Sequence, residues 1–137
     1  MITITLITNY ILPTFIGLVF LLINLKRLKS IKVMKAPDDC KSLIRWRIVV
    51  TLDKIFYGNY RWVSGITFGY FIFIETYSDC LYRHESRHTY QQELLGFVFF
   101  ILYLAFYLYL SLKYDAKTSY KEIPFEKDAV KYSLKKI

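Results

Sequence analysis

Ser78-Asp79-Cys80-Leu81-Tyr82-Arg83-His84-Glu85-Ser86-Arg87-His88-Thr89-Tyr90-Gln91 is the stretch on which the reading of this 137-residue chain turns. It holds both histidines of the sequence, His84 and His88, in an H-E-x-x-H array. Ser78 or Asp79 suits the N-cap of a helix, and from there Leu81, His84, His88, Gln92, Leu95 and Phe99 fall in one stripe. Residues four apart on a helix share a face, so both imidazoles can grip one metal ion. Zinc suits such a pair, because neutral imidazole is a borderline ligand and zinc accepts tetrahedral geometry without preference. Glu85 then stands beside the metal, where its carboxylate can take a proton from an activated water. The competing reading is a pair of solvent-facing histidines on an ordinary helix.

Downstream, residues 94–112 are apolar and rich in Phe, Tyr and Leu. By length and hydropathy this run is a transmembrane candidate. Upstream, Ile2 to Leu25 carries no charged side chain and predicts a membrane-spanning helix, in which Pro13 and Gly17 are tolerated with a slight bend. The chain starts without a basic n-region and shows no small-x-small cleavage site before the basic run, which argues against a cleaved signal peptide. Lys26, Arg27, Lys29, Lys32 and Lys35 follow the segment. The positive-inside rule then puts the N-terminus outside and the rest of the chain at the cytoplasmic face of the inner membrane. The alternative is that the segment packs into a core.

Composition points the same way. Hydrophobic residues make up 55%, aromatics 19%, and the net charge is +8. Lysines flank the apolar runs, as in Lys26-Arg27-Leu28-Lys29 and at Lys113, where they can snorkel to anionic lipid headgroups. No nucleic-acid-binding motif accompanies them, so a membrane is the expected partner and nucleic acid is not. Cys40 and Cys80, far apart in sequence, read as reduced intracellular thiols.

Between the two apolar runs, Ala36 to Cys40 reads as a turn or linker. Leu43 to Tyr57 alternates Arg45 and Arg47 against Ile44, Trp46 and Ile48, the pattern of a half-buried strand. Gly58-Asn59 is a turn pair, and Arg61 to Ile74 predicts one or two buried strands, with Gly65 and Gly69 marking a bend or a close backbone approach. A hairpin or small meander is expected, two short helices being the alternative. The predicted architecture is α+β: an anchor helix over 1–25, a basic juxtamembrane linker over 26–42, and a catalytic domain over 43–137. That domain comprises the hairpin, the long H-E-x-x-H helix, a second apolar helix over 94–112 and a C-terminal helix.

Two histidines do not complete a catalytic zinc site, which takes three protein ligands and keeps a fourth position for water. Without a third histidine, the long H-E-x-x-H-x-x-G-x-x-H pattern is excluded. The third ligand must be a carboxylate or a cysteine. Glu126, in Pro124-Phe125-Glu126-Lys127-Asp128-Ala129, would project from the first turn of a helix opened by Pro124. Cys80, four residues before His84, is the rival. Glu126 brings a topological condition, since a helix from His88 to Leu112 rises about 36 Å. A tail from Lys113 to Glu126 could return across that gap only nearly extended. Lipid does not admit such a polar strand. A crossing would also export Lys113, Lys117, Lys121, Lys127, Lys131, Lys135 and Lys136, against the positive-inside bias. For Glu126 to bind, the second run must break, turn back or lie along a surface, although Gly96 offers no strong breaker.

From about Gly65 to Tyr132 the chain resembles a group of small bacterial HExxH proteins, gluzincin-like and largely uncharacterised. Their order of elements is an aromatic strand, H-E-x-x-H-x-x-Q, an apolar aromatic helix, and P-F-E-x-x-A. Here these read Ile66 to Phe73, His84 to Gln91, and Pro124 to Ala129. The resemblance covers about half of the chain. It implies a zinc metallopeptidase with zinc held by His84, His88 and Glu126, and Glu85 as general base. In thermolysin-like enzymes an Asp four residues after the ligand Glu orients the first histidine; here Val130 stands there, with Asp128 as a substitute second-sphere group. Tyr120, Tyr132 or Arg87 could stabilise an oxyanion. Zincin substrates add to an edge strand before the metal helix, a place the run Ile66 to Ile74 fills in sequence. The expected function is membrane-anchored peptide-bond hydrolysis. The alternative is a non-enzymatic small membrane protein, an immunity or assembly factor with a structural or degenerate histidine pair.

Overall fold

Four strands form one mixed sheet: β1 (Leu28–Lys35), β2 (Trp46–Leu52), β3 (Gly65–Phe68) and β4 (Phe71–Ile74), in the order β1-β2-β4-β3. The computed structural model describes residues 7–55 and 64–135, with side chains from Asn9 onward. Five α-helices surround the sheet: α1 (Leu12–Ile23), α2 (Asp79–Leu95), α3 (Val98–Ser111), α4 (Ala116–Glu122) and α5 (Pro124–Ser133). β2 runs antiparallel to β1 and parallel to β4, and β3 closes a hairpin with β4. The α+β class and the hairpin are as expected. Gly58-Asn59 and the start of the Arg61–Ile74 run lie outside the described residues.

Helices cover both faces of the sheet. On one side Leu21 of α1 packs with Val50, Leu52, Ile55, Phe71 and Phe73; on the other, Val49, Ile72 and Ile74 pack with Tyr82 of α2. That is why β4 reads as an unbroken apolar run, Phe-Ile-Phe-Ile, with all four residues buried. The hairpin turns at Gly69-Tyr70, where Gly69 has φ +60°, the pattern of a type II′ turn. Both neighbouring helices hold this turn. Thr89 donates to the Gly69 carbonyl at 2.8 Å, the Gly69 N–H donates to Gln92 Oε1 at 2.6 Å, and Thr14 accepts from the Tyr70 N–H at 3.4 Å.

Two expectations are corrected. A third, the N-terminal membrane helix, lies partly outside the described residues; within them the segment is a π-helical turn, Ile7–Ile11, followed by α1, whose 12 residues rise about 18 Å. Among the described residues no single helix is long and apolar enough to cross a membrane. One stripe of α1 (Pro13, Gly17 and Leu21) is buried. Gly17 is a contact point there, since a Cβ would sit 2.8 Å from the Phe68 carbonyl oxygen. The basic linker, in turn, contains β1, an edge strand whose lysines blunt its open side.

The second correction concerns the orientation of β2. Arg47 is the buried side chain and Trp46 the exposed one, and the alternation ends at Val49 and Val50, which are both buried. Arg47 Nη1 donates to the carbonyls of Ile44 at 2.8 Å and Trp46 at 3.2 Å, above the Tyr70 ring, while its Nε is buried without a partner.

Ser78 caps α2, its Oγ accepting from the Leu81 N–H at 3.1 Å. At the other end Gly96 adopts φ +60°, a conformation that stops a helix of L-residues. The chain turns by 114° between α2 and α3. The second apolar run therefore folds back instead of extending α2, and Gly96 is the breaker the sequence reading discounted.

Candidate metal centre

The fold-back brings α3, α4 and α5 over the H-E-x-x-H face of α2. Pro124 opens α5 and Glu126 lies in its first turn, as the sequence predicts. His84 Nε2 and Glu126 Oε2 are 2.9 Å apart, and His88 Nε2 and Glu126 Oε1 are 3.2 Å apart. The two Nε2 atoms are themselves 3.2 Å apart. Two zinc–nitrogen bonds of 2.0–2.1 Å at the tetrahedral angle separate their nitrogens by about 3.3 Å, so the pair is spaced as one zinc ion requires. His84, His88 and Glu126 form a possible metal-binding triad, with ligand atoms all within 4.8 Å of one another.

With a metal on Nε2, the tautomer of His88 would be set by its surroundings. Gln91 Nε2 donates to the Phe125 carbonyl at 3.0 Å and to Asp128 Oδ2 at 2.9 Å. Gln91 Oε1 is thereby turned towards His88 Nδ1, 2.8 Å away, which must donate. The Nε2 lone pair is left facing Glu126 and His84, as a metal ligand needs. Asp128 is anchored in turn by Arg87, whose Nε lies 2.7 Å from Oδ2. Asp128 thus acts on the second histidine through Gln91, not on the first as the resemblance suggested.

Without a metal the three groups lean on one another. Burial alone would lower the His88 pKa, but the Glu126 carboxylate outweighs it and carries the imidazole up to about 9. Burial would likewise raise Glu126, yet the two histidines hold it well below the ordinary carboxylate range. Tyr103 of α3 donates to Glu126 Oε1 at 2.8 Å.

Glu85 occupies the wall between this cluster and the sheet. It is 2% exposed; Thr67 Oγ1 donates to its Oε2 at 2.6 Å, and a Cβ at Gly65 would come within 2.6 Å of its Oε1. Burial pushes its pKa up, partly offset by His88 and His84. Glu85, His88 and Glu126 all line a cavity of about 440 Å³, whose remaining walls are largely aromatic and aliphatic, including Phe99, Phe100 and Leu104. β3 borders it as the last strand of the sheet, with Gly65 and Thr67 themselves buried. The Phe68–Phe71 and Ser64–Glu75 pairs bond across the hairpin, so Gly65 and Thr67 turn their backbone groups outward. Of these, the Thr67 carbonyl accepts from Gln92 Nε2 at 2.9 Å.

The other candidates divide. Tyr120 lines the cavity, and burial together with Glu126 raises its phenol well above the usual value. Tyr132 lies elsewhere: its hydroxyl donates to Asp39 Oδ1 at 2.9 Å, and its ring stacks under Arg83. Arg87 is committed to Asp128 and to the Tyr90 ring. Cys80 is exposed in the first turn of α2 and stands outside the triad; it and Cys40 are free thiols. Sequence reasoning missed Tyr103, Thr67 and the orienting role of Gln91. Only Gln91 carried a signal, lying three residues after His88 and so on its helix face. No protein-family model, no curated protein and no solved structure matches this chain.

Proposed function

We propose that the protein is a zinc-dependent peptidase with zinc held by His84, His88 and Glu126. The observation that carries this reading is the convergence of both Nε2 atoms and a buried carboxylate beside a second buried carboxylate at the wall of a cavity. Zinc held there supplies a Lewis acid for a carbonyl and a water acidified towards neutral pH. Glu85 is the general base. Thr67 engages Oε2, leaving Oε1 to take the proton of the attacking water and return it to the leaving amine as the C–N bond breaks. Its upward-shifted pKa suits a group that must accept and release a proton.

A bulky apolar residue of the substrate fills the cavity beside β3. Of the three expected oxyanion partners only Tyr120 lines the cavity, where it leans on Glu126 and Tyr103; Tyr132 and Arg87 are committed elsewhere. The resemblance to the gluzincin-like group agrees with this chemistry, and we place the enzyme at the cytoplasmic face of the membrane. Metal analysis of the purified protein should find one zinc per chain, lost in Glu126→Ala. Glu85→Gln should keep the zinc and lose peptide hydrolysis. A wild-type protein that binds no zinc, or a Glu85→Gln variant as active as wild type, refutes the proposal.

A further inference from the structure

Two helices of this fold expose apolar faces that no described residue covers. On α1 and the turn before it, Ile11, Phe15, Leu18, Leu22 and Ile23 are 41–76% exposed, opposite the stripe that packs on the sheet. On α3, Val98, Ile101, Leu104, Leu108 and Leu112 recur at helical spacing and are 50–84% exposed. A water-soluble surface rarely carries two such stripes. The helices flank the same edge of the sheet: Phe20 of α1 packs on Phe68 of β3 with ring centroids 5.3 Å apart, and Phe68 stacks on Phe100 of α3 at 6.1 Å.

Charge decides between occupants. Neither stripe contains an acidic residue, and each helix runs into basic residues at its C-terminal end, Lys26, Arg27 and Lys29 after α1 and Lys113 after α3. Lys113 lies with its amine over the ring of exposed Tyr109, 4.8 Å from the centroid, the pairing of aromatic belt and snorkelling lysine found at membrane interfaces. A second copy of the chain would bring a further charge of +8 against this one. An anionic bilayer is attracted to the basic ends while accepting the apolar stripes.

We propose that α1 and α3 together form a docking face that lies in the surface of an anionic membrane without crossing it. Leu104 belongs both to the exposed stripe and to the cavity lining, so the cavity opens onto the surface that meets lipid. The docking face stands independently of the zinc reading, and its test does not use activity.

The test is flotation of the full chain with vesicles of phosphatidylcholine alone or mixed with phosphatidylglycerol. The wild type should float with the mixed vesicles, and added salt should weaken this. Ile101→Glu with Leu108→Glu, on α3, and Phe15→Glu with Ile23→Glu, on α1, should each reduce partitioning at least about tenfold. All four positions are at least half exposed, so the core is untouched, and an unchanged circular dichroism spectrum verifies this. Lys26→Gln and Lys113→Gln should each weaken binding to mixed vesicles by about fivefold and leave neutral vesicles unaffected. Glu85→Gln should bind as the wild type does. Equal partitioning of the α1 or α3 pair variants and wild type, or a wild type that sediments as a stable dimer and ignores vesicles, overturns the proposal.

Discussion

Replacing Gln91 with Met tests the metal centre at one removed atom. The substitution keeps the length of the side chain and deletes the acceptor 2.8 Å from His88 Nδ1. With a metal on Nε2, the neutral ring must carry its proton on Nδ1, and His88 is 5% exposed, so water does not readily replace the lost acceptor. A buried donor left unpaired costs about 1–3 kcal/mol. In the metal-free protein the protonated ring loses the same acceptor but keeps its ion pair with Glu126, 3.2 Å away, so part of the penalty is common to both states. Taken in full on the metal-bound state it is worth roughly fivefold to 150-fold in Kd, which makes that range the upper limit, against the tenfold to hundredfold typical of second-sphere partners.

The assay is competition for zinc against a chromogenic chelator at neutral pH. Thermal unfolding in excess chelator runs in parallel to separate any loss of fold. The Phe125 carbonyl and Asp128 also lose a donor, so the melting temperature without metal should fall somewhat. Asp128→Asn should weaken zinc less than Gln91→Met, because it acts on His88 only through Gln91. Unchanged zinc affinity in a folded Gln91→Met protein would show that His88 Nε2 is not a ligand presented by this contact.

Two further outcomes follow from the geometry. Gly65→Ala places a methyl group against Glu85 Oε1, the free end of a flexible side chain, so the carboxylate and not the strand gives way; zinc content should hold while peptide hydrolysis drops at least about tenfold, the scale of a mispositioned general base, and full activity would remove Glu85 from that role. Arg83 and Tyr132 hydrogen-bond Asp39 and hold its pKa at about 2. A carboxyl lowered in the folded state stabilises above its unfolded pKa and loses that contribution as pH falls through the folded value. The stability difference between wild type and Asp39→Asn should therefore be constant above about pH 5 and shrink from there down through about pH 2, read from urea midpoints; a difference that does not change with pH contradicts the pairing.

How much of this was legible in the sequence depends on the range of the physics involved. The cap at Ser78, the shared face of His84 and His88, and Glu126 in the first turn behind Pro124 are decided within one or two helical turns, and all three read correctly. The hairpin was legible because a glycine sits where two apolar runs meet. What failed was set by tertiary contact. Arg47 sits on the buried side of β2 because carbonyls and the Tyr70 ring close around it, and no alternation pattern records that. The lysine-rich segment joins the sheet because β2 offers it an edge. The N-terminal run carries no charged side chain, and hydropathy alone does not record that Pro13, Gly17 and Leu21 of α1 are buried. Tyr103 was one of 13 tyrosines, and only the turn at Gly96 singles it out.

That turn is where fold and site become one question. A continuous helix through residues 79–111 would carry Tyr103, α4 and Glu126 along its axis, tens of ångströms from His84. The 114° bend is made by one residue with φ +60°, so the same Gly96 that ends α2 determines whether a third ligand reaches the histidines. The contacts then close a loop: Tyr103 on α3 and both histidines on α2 meet at the Glu126 carboxylate on α5, while Gln91 ties α2 to α5 a second time. A metal ion in this position would cross-link α2 to α5 and hold the fold-back in place. Metal binding would accordingly be coupled to the packing of the aromatic cavity, since Tyr103 lines that cavity and grips the Glu126 carboxylate with its hydroxyl.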